Sequence, residues 1–369
     1  MSTGRKTPLY ERHKQLKAKM TDFHGWPMPL QYSEITEEVT RTRSAAGLFD
    51  VSHMGRLMVE GQGALQCLQK ILTADISRLE RNRCCYSLVC NEQGGTVEDL
   101  LVYCLGKNKY LLVVNAGNRE KVLQWLQAHT IKEDVEICDL TADYAQLALQ
   151  GPFSSDIMEA LTGGIITPST PGPFRFLQQL QVGGIECLVS RTGYTGEDGF
   201  EICCESGKAP ALWNLLLDDT ASRPGASPAG LGARDVLRLE ASLPLYGSEL
   251  NEKVTPLEAG LERFVAFDRE NSFIGLEALL QQKEEGLSKK LLGVEMGRGI
   301  PRSGYVLKKE GREIGWISSG TFSPTLNKGI GLAFVHTNGA SPGDEVKVTV
   351  RGREVAARMV KPPFYRREK

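Results

Sequence analysis

The chain has 369 residues, of which 41% are hydrophobic and 24% charged, with a formal net charge of −1. That length exceeds one ordinary domain, so two or three are expected, and the even charge balance excludes broad electrostatic binding to nucleic acid. No apolar run reaches the roughly 18 residues of a membrane-spanning helix. The segment Met1–Tyr10 carries neither a hydrophobic signal core nor an Arg/Ser-rich leader, so a cytoplasmic protein (or a mature organellar form) is expected, with no membrane partner.

In chain order, the first clear element is a helix. Ser33 reads as its N-cap, Glu34–Glu38 as an acidic first turn, and Ile35, Val39, Thr42 and Ala46 as a buried stripe; Arg41 and Arg43 fall late and Gly47 terminates it. Further helices are expected at 63–74, 117–129, 208–219, 230–242 and 275–285. Short β runs are expected at 84–90, 97–104, 110–115, 133–138, 144–150, 185–190 and 200–204. Strands and helices do not alternate regularly, which disfavours a doubly wound parallel sheet. The mixture predicts the α+β class, with antiparallel or mixed sheets covered by helices.

After the charged stretch 281–290 the texture changes. Short apolar segments separated by Gly, Pro and Asn recur at Leu291–Glu295, Tyr305–Leu307, Glu313–Ser318, Ile330–Val335, Glu345–Val350 and Glu354–Val360. That cadence predicts a small all-β barrel or sandwich, with a domain boundary near 282–290. The nine cysteines include vicinal pairs at Cys84–Cys85 and Cys203–Cys204 but no Cys-x-x-Cys. They read as free thiols acting as small apolar residues, and no metal site is expected.

Three segments carry candidate chemistry. Arg191-Thr-Gly-Tyr-Thr-Gly-Glu-Asp-Gly-Phe-Glu201 links two β-prone runs with more glycine than a simple reversal needs. Its backbone can approach something closely while Tyr194, Glu197, Asp198 and Glu201 remain available to contact it; the bland alternative is a hairpin with solvated carboxylates. Gly230-Leu-Gly-Ala-Arg-Asp235 has the first two glycines of a dinucleotide fingerprint but an aspartate at the third position. Asp235 suits a helix N-cap better than a pyrophosphate site, so dinucleotide binding is rejected. The hairpin Cys84–Tyr103 turns through Asn91-Glu-Gln-Gly-Gly-Thr96. Alternation puts Val97, Asp99, Leu101 and Tyr103 on one side, and a symmetric turn would bring Tyr86 and Leu88 to that side as well. A carboxylate there needs a partner; alternatively Glu98 takes the buried face, and periodicity leaves both open. His53 could act as a base but reads more readily as a structural histidine. No nucleophile–base–acid set is assembled anywhere.

Taken together the chain resembles the glycine cleavage T-protein family, folate-dependent aminomethyltransferases. The resemblance spans nearly the whole sequence and rests on Phe23-His-Gly-Trp-Pro-Met-Pro-Leu30, Gly47-Leu-Phe-Asp-Val-Ser-His-Met-Gly55, Asn91–Leu101, Ser190–Glu201, Gly230–Glu240, Gly320-Thr-Phe-Ser-Pro-Thr325 and Lys361-Pro-Pro-Phe-Tyr365. It implies a three-domain cloverleaf around a central folate cavity, ending in a small β-barrel. The division expected is residues 1–282 as a folate-binding region, with subdomains at about 1–52 plus 139–282 and at 53–138, followed by a barrel at 283–369.

The implied reaction moves an aminomethyl group from the lipoyl arm of H-protein to tetrahydrofolate, giving 5,10-methylenetetrahydrofolate, ammonia and dihydrolipoyl H-protein. The family's essential aspartate falls on Asp99, its Gly-Gly-x-x-Asp-Asp appearing here as Gly94-Gly-Thr-Val-Glu-Asp99; Glu98 for Asp is a departure from which little effect is expected. Folate contacts carry over to Met54, Tyr86, Tyr103, Asn115, Tyr194, Glu201 and Arg234. Glu201 suits the two adjacent donors of an aminopyrimidine edge, tyrosines can flank flat rings, and Arg234 offers a fork of donors to a carbonyl or carboxylate. Asp99 would orient the folate, stabilise developing cationic charge and relay a proton. Rival activities on the same scaffold are tetrahydrofolate-dependent demethylation and non-catalytic folate binding.

Overall fold

The computed structural model describes residues 5–130, 134–218 and 225–367. Residue 133, the first of one expected strand, and residue 219, the last of one expected helix, lie outside them. The chain divides into two compact units, one formed by Met1–Cys67, Arg78–Cys85 and Leu100–Asp235, the other by Leu68–Ser77, Tyr86–Asp99 and Val236–Lys369. The strands Cys84–Cys90 and Thr96–Gly106 each have residues in both.

In the first unit a six-stranded sheet runs in the order Phe176–Val182, Ile185–Ser190, Gly199–Glu205, Tyr144–Gln150, Gly47–Asp50, Ser227–Pro228. All its pairings are antiparallel except the last, where Ser227–Pro228 lies parallel to Gly47–Leu48. Alternation divides the two faces. Phe200, Ile202 and Cys204 point to the helices Ser154–Leu161 and Ala209–Leu217 and pack with Ile157, Met158, Leu212, Trp213 and Leu216 in one apolar cluster. Glu201 and Cys203 are therefore turned to the opposite face, where Tyr103, Leu111, Val113, Gln146, Leu188 and Ser190 surround them.

A five-stranded antiparallel sheet has the order Cys84–Cys90, Thr96–Gly106, Lys109–Val114, Gly55–Glu60, Glu136–Asp139. In the second unit, six strands between Lys289 and Val360 close into a barrel, with Lys289–Met296 paired to both Lys328–His336 and Arg353–Val360. Val294, Met296, Leu307, Ile317, Val335, Val348 and Met359 fill it. The fold is thus α+β with a terminal barrel, as the sequence texture predicts. Among the described residues no helix is long and apolar enough to cross a membrane.

Three details differ from expectation. The early helix spans Ile35–Ser44 with Glu34 at its N-cap and no capping side chain. Glu38 satisfies the entry instead, accepting the backbone N–H groups of Tyr32 (2.5 Å) and Ser33 (2.9 Å). Gly47 does not end that helix; it begins a strand, where a β-carbon would meet the Thr42 hydroxyl at 2.3 Å. Asp235 is likewise no N-cap, because the helix begins at Leu231 and runs to Glu240, leaving Asp235 exposed within it. Gly230 and Gly232 are small for a packing reason: a β-carbon at either would meet Leu30 O at 2.3 Å or the Ile35 side chain at 2.5 Å.

Candidate functional site

The glycine loop is built against the protein itself. A β-carbon on Gly193 would lie 1.9 Å from Gln150 Oε1, so the close approach inferred from its spacing is to Gln150. Gly196 holds a left-handed φ of +80° at the tip. Gln150 Nε2 donates to Thr192 O (3.1 Å), and its Oε1 accepts the Thr195 hydroxyl (2.9 Å). The loop carboxylates expected to be available are engaged. Glu197 accepts from Arg43 Nη1 (2.7 Å), both side chains more than nine-tenths buried. Asp198 is forked by Arg191, through Nε (2.9 Å) and Nη2. These two acids hold the loop through arginines, Glu197 buried and Asp198 half-buried.

Glu201 differs. It is 8% exposed and accepts the Thr192 hydroxyl on Oε2 at 2.5 Å. Its Oε1 makes no hydrogen bond among the described residues. Arg234 lies close enough for the Glu201 charge to act on it, and its guanidinium stands over the Tyr194 ring, 4.9 Å from the centroid. Burial draws the Arg234 pKa down against the opposing pull of Glu201 and Tyr194. Its Nη1 is buried with no hydrogen-bond partner among the described residues. A carboxylate with an unused oxygen, a guanidinium with an unused N–H and an aromatic face therefore come together, the donor and acceptor set of a flat heterocycle carrying both kinds of group. Unsatisfied buried polar atoms of this kind cost free energy unless something pairs with them.

Other candidates lie in the same unit. Met54 is half-buried in an apolar cluster with Cys84, Leu111, Val113 and Phe176. Tyr103 is only 2% exposed; its ring tilts against Phe176 at 5.2 Å, and its hydroxyl meets Ser190 (3.1 Å) and Thr192 (3.4 Å). Asn115 is half-buried and precedes the turn Ala116–Asn118. His53 is buried, and burial, reinforced by the charges of Arg234 and Arg56, pushes its pKa down to about 3. A neutral histidine follows, with Nδ1 buried and without a hydrogen-bond partner among the described residues.

In the second unit, the hairpin turn is tighter than the symmetric six-residue turn expected. Asn91 N donates to Gly95 O and Gly94 N to Asn91 O, both at 2.9 Å, with Gly94 at φ +79°. The Asn91 carboxamide accepts the N–H groups of Gln93 and Gly95. The strand then leans on its own unit, Thr96 donating to Val254 O at 2.9 Å. The Tyr86 hydroxyl donates to Asp99 Oδ2 at 3.0 Å, and the Tyr86 ring meets Phe264 edge-on at 4.7 Å. Asp99 is half-buried, whereas Val97 is 2% and Glu98 0% exposed. Both strand faces are covered at 97 and 98, so neither periodicity alternative describes the strand alone.

None of the nine cysteines forms a disulfide, six being buried and three half-buried, and burial lifts Cys85, Cys90 and Cys203 to about 12. Sequence reasoning missed Thr192 and Ser190 as parts of this arrangement. Their signal was present: Ser190 is register partner to Glu201, but only strand pairing makes that visible. It also missed the N-terminal network in which Asp50 accepts from Thr7 (2.7 Å) and Ser52 N (2.9 Å) and bonds His13 (2.8 Å). Burial would raise the Asp50 pKa, but those hydrogen bonds and the His13 charge outweigh it and hold the carboxyl at about 2.

Comparison with known proteins gives one answer over the whole chain. The GCVT N-terminal domain matches residues 9–269, and the glycine cleavage T-protein C-terminal barrel domain matches residues 289–366. The chain is 49% identical to the aminomethyltransferase of Geobacillus kaustophilus over 366 residues, covering 99% of this chain and 100% of that one. It is 50% identical to the aminomethyltransferase of Moorella thermoacetica over 370 residues, covering both entirely. The crystal structure of glycine cleavage system aminomethyltransferase T from Bartonella henselae superposes with a TM-score of 0.89 at 33% identity, covering 98% of each chain.

Proposed function

We propose, from the premise that this chain belongs to the glycine cleavage T-protein family of aminomethyltransferases, that its acceptor is tetrahydrofolate and its donor the aminomethyl-loaded lipoyl arm of H-protein. The observation that carries this is the pairing of unused polar atoms in the first unit, Oε1 of Glu201 and Nη1 of Arg234, beside the Tyr194 ring. A reduced pterin fits that set: its aminopyrimidine edge presents adjacent donors to Glu201, and its ring oxygen presents an acceptor to an arginine N–H.

In this mechanism Glu201 binds the aminopyrimidine edge, Arg234 supplies the complementary donor, and Tyr194 holds a flat ring by its face. Met54 and Asn115 contribute contact area and orientation, and Tyr86 acts with Asp99. When bound, tetrahydrofolate supplies a nucleophilic ring nitrogen for the incoming one-carbon unit. Asp99 orients that region, stabilises positive charge as ammonia leaves, and accepts or returns a proton at its carboxylate. No protein nucleophile is required, so the chain's task is to hold two reactants together and exclude water. Tyr86 donates to Asp99 Oδ2, which fixes the carboxylate's rotamer.

The test is a single-turnover assay with aminomethyl-loaded H-protein, with and without tetrahydrofolate. Stoichiometric ammonia and 5,10-methylenetetrahydrofolate, both dependent on the acceptor, support the proposal. Methyl transfer from simple methyl donors without that activity would establish a demethylase instead. Folate binding with no product from either donor would leave a binding protein.

A further inference from the structure

Behind Glu201 stands a row of buried hydroxyls that acceptor binding alone does not require. Tyr103, Ser190, Thr192 and Glu201 are 2%, 1%, 7% and 8% exposed. The Tyr103 hydroxyl is 3.1 Å from Ser190 Oγ, Ser190 Oγ is 2.8 Å from Thr192 Oγ1, and Thr192 Oγ1 is 2.5 Å from Glu201 Oε2. Each hydroxyl pair could be read in either direction, but the end of the row decides it. A carboxylate only accepts, so Thr192 donates to Glu201 and must itself accept from Ser190 or Tyr103. Tyr103 keeps its proton, because burial, with the nearby Glu201 charge, pushes its pKa well above the ordinary phenol value. Ser190 Oγ also has the Glu201 carbonyl within 3.4 Å, so its one proton is shared between that carbonyl and the nearer Thr192 Oγ1 at 2.8 Å, and the donors run from Tyr103 toward Glu201.

The geometry leaves little room for slack. Ser190 and Glu201 are paired residues on adjacent strands, and Thr192 follows directly from the first of those strands. The space beside Tyr103, Gln146, Ser190 and Glu201 is a cavity of about 10 Å³, on the scale of one water. Thr192 is fixed from its backbone as well, since Gln150 donates to its carbonyl at 3.1 Å. A charge-assisted bond of this length, with its donor held from both sides, sets the plane of the carboxylate and leaves Oε1 as the unused acceptor.

We propose that Thr192 is a positioning residue for acceptor recognition: its hydroxyl, oriented by Ser190 and Tyr103, sets the Glu201 carboxylate in the plane needed to receive the paired donors of an aminopyrimidine. The proposal rests on Glu201 being the acceptor's partner. It gives Tyr103 a role at the far end of the row, acting on the acceptor through Thr192.

The test is calorimetric titration with tetrahydrofolate, together with turnover at saturating acceptor, for Thr192→Val, Thr192→Ser, Glu201→Gln and the Thr192→Val/Glu201→Gln double variant. Thr192→Val, which keeps shape and removes the donor, is expected to raise Kd about tenfold while kcat changes by less than about twofold. Thr192→Ser returns the hydroxyl and should bring Kd back to within about threefold of wild type. The double variant should bind no more weakly than Glu201→Gln alone, since the threonine acts only through that carboxylate.

A folded Thr192→Val enzyme with wild-type Kd, additive losses in the double variant, or no rescue by serine would each overturn the proposal. If Thr192→Val does not fold, Ser190→Ala removes one orienting partner instead. A rise of about threefold in its Kd supports the row, and an unchanged Kd overturns it. Should Glu201→Gln itself bind tetrahydrofolate as wild type does, the acceptor reading of Glu201 fails. A loss with Glu201→Gln but none with Thr192→Val sinks only the positioning role.

Discussion

Within eleven residues the chain treats its acids in two ways. At the loop tip, Glu197 and Asp198 each meet an arginine, Arg43 and Arg191, at ion-pair distance. At the start of the following strand, Glu201 is clamped by a neutral hydroxyl on one oxygen and feels Arg234 without a hydrogen bond to it. An acid consumed in a buried ion pair has its charge neutralised and serves to hold backbone in place. An acid held by hydroxyls is oriented yet keeps its charge available to an incoming donor. Asp99 likewise accepts a hydroxyl, that of Tyr86, among its partners. Acidity and burial do not separate the two groups; the nature of the partner does.

That contrast can be broken or sharpened by substitution. The largest effect is expected at Asp99. Asp99→Asn should lower single-turnover aminomethyl transfer by at least about 100-fold with Kd for tetrahydrofolate changed less than about threefold, because the lost function is charge and proton handling. Near-normal transfer would remove Asp99 from the chemistry.

Arg43→Met tests the other kind of acid. It removes the arginine partner of the buried Glu197 carboxylate, so urea unfolding should report about 3 kcal/mol of lost stability. Folate affinity of the folded fraction should change little; a primary loss of affinity would show that the loop acids are not merely structural.

A smaller effect comes from pH. His53 sits at about 3 in the folded chain, below the unfolded value of about 6.5. As pH falls, the unfolded chain takes up the proton first, so stability is complete above about 6.5 and declines toward 3 by at most about 1.4 kcal/mol per pH unit from this group. Asp50, held at about 2, acts in a lower window, losing its contribution as pH falls from about 3.9 toward that value. Unfolding curves at pH 7.5 and 5.5 should therefore separate in wild type and draw together in His53→Gln. An unchanged separation would reassign the pH dependence to other groups. The mildest change is Tyr86→Phe, expected to slow transfer about threefold by loosening Asp99 while leaving stability nearly as it was; stopped-flow single turnover would read it.

Strands such as Tyr144–Gln150, Ile185–Ser190 and Glu345–Val350 have the limits their apolar runs suggest, since side-chain alternation and turn residues are local properties. The same local logic placed the 231–240 helix to within a residue at its start but misread Asp235 inside it. Asp235 looked like a cap, and the packing reason for Gly230 and Gly232 stayed hidden, because nothing nearby in sequence reveals that Leu30 and Ile35 press against them. Gly193 misled in a similar way: the thing it approaches closely is Gln150, 43 residues earlier in the chain.

By itself the sequence determined the α+β class, the terminal barrel, the family, and Asp99, Glu201 and Arg234 as residues worth testing; periodicity and motif order are written along the chain. Tertiary structure decided which acids are neutralised, which hydroxyl grips Glu201, and that an arginine N–H stays unused beside Tyr194. Those outcomes depend on partners such as Arg43 and Glu197, more than 150 residues apart. Hydrogen bonds and ion pairs act over only a few ångströms, so they exist only once folding has brought distant strands into register.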